Sequence, residues 1–152
     1  MLVSAKGRYA LRVMADLAAR DSGEYIPLKE MAERQGISRK FLESIMTLLA
    51  KSGLVDSTSG KNGGYKLLRP PEKYSVGEIL EAVEGSLAPA ACTGGDDKKC
   101  ARTDMCCTFV FWKQLSEHIN SFLYGYTLSE LVNGTHCKAD NTEIKENNDD
   151  RQ

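Results

Sequence analysis

Four of the five cysteines of this 152-residue chain fall within one short segment. Cys92, Cys100 and Cys106 are separated by seven and then five residues, and Cys107 follows directly. The segment is rich in Gly, Asp and Lys and holds few large apolar side chains. Because such a composition cannot build a hydrophobic core, the crowded soft thiolates predict that a metal or a cluster orders this segment.

Three kinds of site compete for these cysteines. Structural zinc sites use closely spaced cysteine pairs, which are absent from this spacing, and the side chains of the adjacent Cys106 and Cys107 point in different directions. A disulfide is disfavoured because no membrane span or secretory signal is recognisable, which predicts a cytoplasmic protein with reduced thiols. An iron–sulfur cluster needs about four ligands and tolerates wider spacings. The cluster is therefore preferred, with a thiol redox switch or zinc as the alternative.

The first half of the chain has the periodicity of a helix-turn-helix. Ser4 can cap a helix over residues 5–20, and LKEMAERQ forms a short second helix that Gly36 ends. Ser38 caps a third helix, which presents one apolar face. Two short strands around a glycine-rich tip follow, and they predict a β-hairpin. We therefore predict a mainly α fold in which a winged helix-turn-helix carries a small β-hairpin wing.

The polar face of the third helix and the tip of the wing are the predicted DNA-reading surface. Recognition helices of this motif present N-terminal residues to base edges in the major groove. Glu43 can accept a hydrogen bond from a cytosine amine, so it is expected to contribute to specificity more than to affinity. An ordinary solvated helix face is the alternative. The candidate DNA-binding residues are Ser38, Arg39, Lys40, Glu43, Ser44, Thr47, Ser59, Lys61 and Asn62.

The second half of the chain predicts helices around the cysteine loop. Ser75 and Glu78 form a candidate capping box, as do Thr127 and Glu130. Between them, a long helix carries more aromatic surface than a small domain needs, which predicts a dimerisation helix. The predicted domains are a DNA-binding domain at 1–73, a cluster loop with dimerisation helices at 74–137, and a disordered acidic tail at 138–152.

The charge distribution agrees with this division. Residues 1–73 carry 13 Lys and Arg against 8 Asp and Glu, while the rest of the chain carries 7 against 13, which together give the net charge of −1. A basic first half favours a polyanionic partner, whereas an acidic second half would repel one.

Several stretches, in one consistent order, match a known group of regulators. They are SAKGRYALRVMADLA, LKEMAERQGISRKFLESIM, SGKNGGYKL, SVGEILEAVEG and the three spaced cysteines. Over roughly residues 1–133 the chain resembles the IscR/NsrR family of bacterial winged-helix iron–sulfur transcription regulators, and most closely its IscR members.

The resemblance implies a homodimer in which the long C-terminal helices of the two subunits cross. It also implies that this dimer binds a pseudo-palindromic DNA site. It implies a cluster held by Cys92, Cys100 and Cys106, with [2Fe–2S] preferred over [4Fe–4S]. It also implies repression or activation of promoters, including those of iron–sulfur cluster assembly genes, according to cluster occupancy. In IscR-like members the residue matching Glu43 is linked to discrimination between types of DNA site.

This chain departs from the family at the fourth ligand. The first cysteine gap is longer than in IscR proteins, and Phe109 stands where they have a ligand histidine. The nitric-oxide-sensing relatives use an aspartate where this chain has Arg8. The fourth ligand therefore stays open among Cys107, His118, Cys137 and a group from the partner subunit.

Other classes of function are less well supported by the sequence. An iron–sulfur electron carrier would leave the basic winged helix unexplained. A cluster-free thiol- or zinc-dependent regulator of the same fold is the nearer alternative. An enzyme is not predicted, because there is no nucleophile–base pairing, paired-carboxylate pocket or phosphate-binding glycine motif.

Overall fold

The computed structural model describes residues 2–95 and 100–134, and it has the predicted fold class. Within these residues the chain is mainly helical with one two-stranded antiparallel sheet. The candidate ligand Cys137 and the predicted tail at 138–152 lie outside the described residues. The elements are α1 (Ala5–Ala19), α2 (Leu28–Gln35), α3 (Arg39–Lys51), β1 (Val55–Thr58), β2 (Gly64–Leu67), α4 (Val76–Glu84), α5 (Phe109–Gly125) and α6 (Leu128–Asn133).

The caps predicted for the first three helices are present. The Ser4 hydroxyl accepts from the Gly7 N–H at 3.2 Å, and the Ser38 hydroxyl accepts from the Phe41 N–H at 3.1 Å. Gly36 ends α2 with φ 64°, a left-handed conformation that glycine adopts without strain. The turn between α2 and α3 is thereby fixed, and α3 buries its apolar face in the core while its polar face stays exposed.

The wing is joined to the segment before α2. Strands β1 and β2 pair from Val55 with Leu67 to Thr58 with Gly64. Tyr65 of β2 also exchanges two backbone hydrogen bonds of 2.9 Å with Ile26. A Cβ at Gly64 would overlap the Ile26 carbonyl, so a glycine is required for this close approach. The hairpin therefore has a fixed position relative to the helix-turn-helix.

One hydrophobic core extends beyond the predicted DNA-binding domain. Tyr74, Ile79 of α4 and Leu128 of α6 are buried in the same cluster as the apolar faces of α1 and α3. The Tyr74 hydroxyl donates to the Leu54 carbonyl at 2.7 Å and accepts from the Leu68 N–H at 2.9 Å, so it ties both ends of the hairpin to the core. The boundary at residue 73 stays a prediction, and α4 and α6 pack directly on α1.

The two candidate capping boxes have different outcomes. Thr127 and Glu130 form the complete reciprocal box at the start of α6. Ser75 caps α4 by accepting from the Glu78 N–H at 3.1 Å, but the Glu78 carboxylate binds Arg69 at 2.7 Å. The prediction of a full box at Ser75 was therefore wrong, because a salt bridge to the end of the wing occupies the carboxylate.

The end of α4 is fastened to the start of α1. Glu84 accepts from the Ser4 backbone N–H at 2.9 Å and from the Ser4 hydroxyl at 2.7 Å. Gly85 follows with φ 79° and leads into the cysteine loop, where Leu87 is buried in a small apolar cluster against which Val3 and Leu11 pack. We call these contacts of Glu84 and Leu87 with the start of α1 the α1–loop junction.

Gly7 leaves the room that the α1–loop junction requires. A Cβ there would overlap Glu84 Oε1 and lie 2.9 Å from Val3 Cγ1. Gly7→Ala should gain about 1 kcal/mol of helix propensity but lose two hydrogen bonds of about 1–1.5 kcal/mol each. We expect its free energy of unfolding, measured in urea, to fall by about 1–2 kcal/mol.

A double-mutant cycle with Glu84→Ala separates the two effects. In that background the carboxylate is gone, so Gly7→Ala should be neutral or stabilising. Equal effects of Gly7→Ala in both backgrounds would contradict the steric role of Gly7.

The long helix α5 packs against α4 but leaves its apolar side uncovered. Among its residues only Ser116 is buried. Phe111 and Phe122 are 58 % and 68 % exposed, and Trp112, Leu115 and Ile119 are half-buried. No helix within residues 2–95 and 100–134 is long and apolar enough to cross a membrane.

Candidate nucleic-acid interface and cysteine loop

Helix α3 presents four of its predicted DNA-binding residues to solvent. Arg39, Lys40, Glu43 and Thr47 are exposed, while Leu42 and three other apolar side chains face the core. The Thr47 hydroxyl donates to the Glu43 carbonyl at 2.8 Å. The exposed groups of this face are therefore two cations, a carboxylate and a hydroxyl.

Ser38 and Ser44 are less available than their positions suggest. The Ser38 hydroxyl is engaged as the N-cap of α3. Ser44 is half-buried, and its hydroxyl donates to the Phe41 carbonyl at 2.7 Å. The Ser38 hydroxyl still has its proton to donate, and the Ser44 hydroxyl can still accept, but the primary role of each is in the helix itself.

The structure brings the start of α3 and the wing together at one cleft, which we call the wing cleft. Its volume is about 540 Å³. Arg39, Ser59 and Lys61 line it, so three of the predicted site residues share one surface. Lys29 and Tyr65 line it as well, and no Asp or Glu does. The cleft therefore offers cations and hydrogen-bond donors to an anion.

Asn62 lines a second hollow, which shares Pro27 and Lys61 with the wing cleft. Lys61 and Asn62 line this hollow with Tyr25. The Tyr25 hydroxyl donates to Asp56 at 2.6 Å, and that hydrogen bond raises the pKa of Tyr25. Asn62 is thus separated from Arg39 within the structure, and Lys61 stands between the two hollows.

Lys29 and Tyr65 were absent from the predicted set. Lys29 is the second residue of α2, and Pro27 at the N-cap is a sequence signal for the start of that helix. Tyr65 has no comparable signal, because its place in the wing cleft depends on the backbone pairing with Ile26. Burial and the negative charge of Glu43 raise the pKa of the Tyr65 phenol.

The cysteine loop holds thiols of unequal exposure. Cys92 is half-buried within a 3-10 helix at Ala91–Thr93, while Cys100, Cys106 and Cys107 are exposed. All four are free cysteines. Among the residues that the structure describes, no three potential ligand side chains are gathered closely enough to hold one metal ion.

Cys106 lies just before α5, in surroundings that favour its thiolate. The Thr108 hydroxyl, with Oγ1 3.2 Å from the sulfur, lowers the pKa of Cys106, and the backbone N–H groups of Thr108 and Phe109 add to the effect. A thiolate is the form that binds metals. The chemistry of this residue therefore fits the predicted role as a ligand.

The candidates for a fourth ligand differ in position. Cys107 is exposed beside Cys106. His118 is exposed on α5, and its Nδ1 lies 2.8 Å from the Gln114 carbonyl. From the start of α5 to His118 the helix rises by roughly 13 Å, at about 1.5 Å per residue. His118 is thus far along the helix from Cys106.

Known proteins are similar to this chain in both sequence and fold. The Rrf2 family, described as "Iron-dependent Transcriptional regulator", matches residues 3–134. The transcriptional regulator IscR of Yersinia enterocolitica is 40 % identical over 154 residues, covering 100 % of this chain and 90 % of its own length. IscR of Klebsiella pneumoniae is 41 % identical over 133 residues, covering 88 % and 80 % respectively.

Solved structures give the same result. T. potens IscR has a TM-score of 0.68 and 32 % identity, covering 95 % of this chain and 91 % of its own. CymR, described as the global cysteine regulator of B. subtilis, has a TM-score of 0.70 and 28 % identity, covering 88 % and 97 %. These relatives are transcription regulators rather than enzymes, in agreement with the sequence prediction. The chain therefore belongs to the Rrf2 family of DNA-binding transcription regulators.

Proposed function

We propose that this regulator senses iron–sulfur cluster status through a cluster bound by Cys92, Cys100 and Cys106, [2Fe–2S] in preference to [4Fe–4S]. The α1–loop junction carries the proposal, because it connects the segment leading to Cys92 directly with the first helix of the DNA-binding core. The IscR relatives support the same role. The genes for cluster assembly are the proposed targets.

The thiols of the cysteine loop suit an iron–sulfur cluster in type and in number. Four free thiols lie in one loop, and the pKa of the Cys106 thiol is lowered by the Thr108 hydroxyl. A bound cluster would supply metal–thiolate bonds that hold separated parts of the loop together. The chain's own residues then transmit the change, because Glu84 and Leu87 connect the loop to α1. The fourth ligand is proposed to be Cys107 or a group from the partner subunit.

A homodimer is part of the proposal. The uncovered side of α5 carries Phe111 and Phe122, which are 58 % and 68 % exposed, and exposed apolar side chains gathered on one helix face suit a protein–protein interface. Two subunits crossed at α5 would present two α3 helices to successive major grooves. They would then read a pseudo-palindrome with half-sites about one helical turn apart.

Purification without oxygen tests the cluster assignment. The proposal expects a coloured protein whose iron and acid-labile sulfide are both stoichiometric with the chain, and whose DNA affinity changes when the cluster is removed. A colourless protein with stoichiometric zinc would replace the cluster by a zinc site. Stoichiometric cluster with unchanged DNA binding would contradict sensing.

A cluster-free thiol regulator is the second candidate. The exposed neighbouring thiols Cys106 and Cys107, together with the resemblance to CymR, favour it. This candidate expects that thiol oxidants change the DNA affinity of protein that has never contained iron. The cluster-sensing proposal does not expect such a change.

Glu43 is expected to select DNA sequence. Its exposed carboxylate can accept from a cytosine amine but repels phosphate, so Glu43→Ala should accept more sites than the wild type. Discrimination at one base position should relax by roughly 1–3 kcal/mol. Binding-site selection from a random DNA library measures this change.

Glu117→Ala is the matched control for charge. It removes an exposed carboxylate on α5, away from α3. This variant should keep the wild-type preference. If Glu43→Ala also keeps the same preferred motif and merely binds it less tightly, the carboxylate has no role in specificity.

A further inference from the structure

The wing cleft has the chemistry of a site for a phosphodiester group. Three cations, Lys29, Arg39 and Lys61, line it from three different elements of the fold: α2, α3 and the wing tip. No carboxylate lines it. A positively lined hollow between a recognition helix and a wing is suited to a phosphate of the DNA backbone.

Tyr65 is held firmly at this cleft. Its backbone pairs with Ser57 on one side and exchanges two hydrogen bonds of 2.9 Å with Ile26 on the other. Its ring packs against the hydrophobic core and is half-buried. The residue therefore loses little conformational freedom when a ligand arrives.

The Tyr65 hydroxyl is available for a ligand. Tyr25 and Tyr74 each donate their hydroxyl to a protein acceptor, Asp56 and the Leu54 carbonyl. Within residues 2–95 and 100–134, the hydroxyl of Tyr65 has no such partner. Since burial and Glu43 raise its pKa, the phenol stays protonated at neutral pH and acts as a donor.

We propose that Tyr65 is a DNA-contact residue whose hydroxyl donates a hydrogen bond to a backbone phosphate seated in the wing cleft beside Arg39 and Lys61. This inference rests on the proposed docking of α3 and the wing on DNA. The contact carries no sequence information, since every nucleotide has the same phosphate. Tyr65 thereby fixes the distance of the wing from the backbone while α3 reads the bases.

Tyr65→Phe removes the hydroxyl and keeps the ring. Loss of a hydrogen bond to a charged group should weaken binding about tenfold for every DNA sequence tested. The dependence of affinity on salt should stay unchanged, because a neutral donor releases no counterion. Lys61→Ala should instead reduce the salt slope by about one unit as well as weakening binding.

Tyr25→Phe is the matched control, because its hydroxyl is already bonded to Asp56 beside the neighbouring hollow. It should stay within about twofold of the wild-type affinity, and urea unfolding should show that both variants are folded. Unchanged affinity in Tyr65→Phe would overturn the inference while leaving the DNA-binding function intact. A changed sequence preference, like that expected for Glu43→Ala, would also overturn it and assign Tyr65 to the positioning of Glu43. Failure of the wild type to bind any selected site would instead refute the docking arrangement itself.

Discussion

Replacing Ile119 and Phe122 together by glutamate is expected to give a folded monomer whose affinity for its best selected DNA site is weaker by about 100-fold or more. Both residues lie on the uncovered side of α5, and Phe122 is 68 % exposed. Two charges in an apolar interface cannot be solvated once the interface closes, so the dimer is destabilised. The large loss in affinity follows because each subunit then binds its half-site alone.

Sedimentation and fluorescence anisotropy measure the two consequences on the same samples. The matched control is the pair Gln114→Glu and Ser121→Glu, which adds the same charge at exposed positions on another side of α5. This control should remain dimeric and bind normally. Tight operator binding by a verified monomer would contradict the arrangement.

Loss of the cluster is the expected result of Cys100→Ala. The thiol is one of three proposed ligands in the loop, and it is exposed, so its removal should take the iron away without harming the core. Visible absorption and iron content of protein purified without oxygen report the change. Circular dichroism should show the helices retained.

Met105→Ala is the control for a change within the same loop. Met105 is 85 % exposed and its thioether is not among the proposed ligands, so this variant should keep its iron. Full iron content in Cys100→Ala would refute the ligand assignment. Cys107→Ala in the same series decides the fourth ligand, because an unchanged electron paramagnetic resonance spectrum of the reduced protein would remove Cys107 from the candidates.

Local sequence features were sufficient to predict the order and type of the helices and strands. Gly36, Ser38 and the pair Thr127 and Glu130 act where the sequence predicted, because each satisfies backbone groups within a few residues of itself. The apolar periodicity of α3 likewise marked its buried face. Such features require no knowledge of the rest of the chain.

Contacts between distant parts of the chain could not be predicted from the sequence. The Glu78 carboxylate binds Arg69 instead of completing a cap, and Tyr65 reaches the wing cleft through its pairing with Ile26. The burial of Leu128 in the core, where α6 packs on α1, was also not predicted. Each depends on packing that brings together residues far apart in sequence, whereas periodicity reports only neighbours.

The cysteine spacing identified a candidate ligand set but could not give its geometry. Cys92 is half-buried in a 3-10 helix that contacts α5, while Cys100 and Cys106 are exposed. The spacing alone could not show that the loop begins at a fastening to α1. That fastening depends on Glu84, which lies before the first cysteine in the sequence and contacts Ser4, 80 residues away.

The α1–loop junction makes two binding events thermodynamically dependent on each other. If a cluster in the loop alters the affinity of α3 and the wing for an operator through Ser4 and Glu84, then that operator must alter the affinity for the cluster by the same factor. DNA is then an effector of cluster retention as much as the cluster is an effector of DNA binding. An operator that prefers the cluster-bound loop would make the bound protein keep its cluster longer than an operator that prefers the cluster-free loop. Each promoter would therefore help to set the iron–sulfur status that it reports.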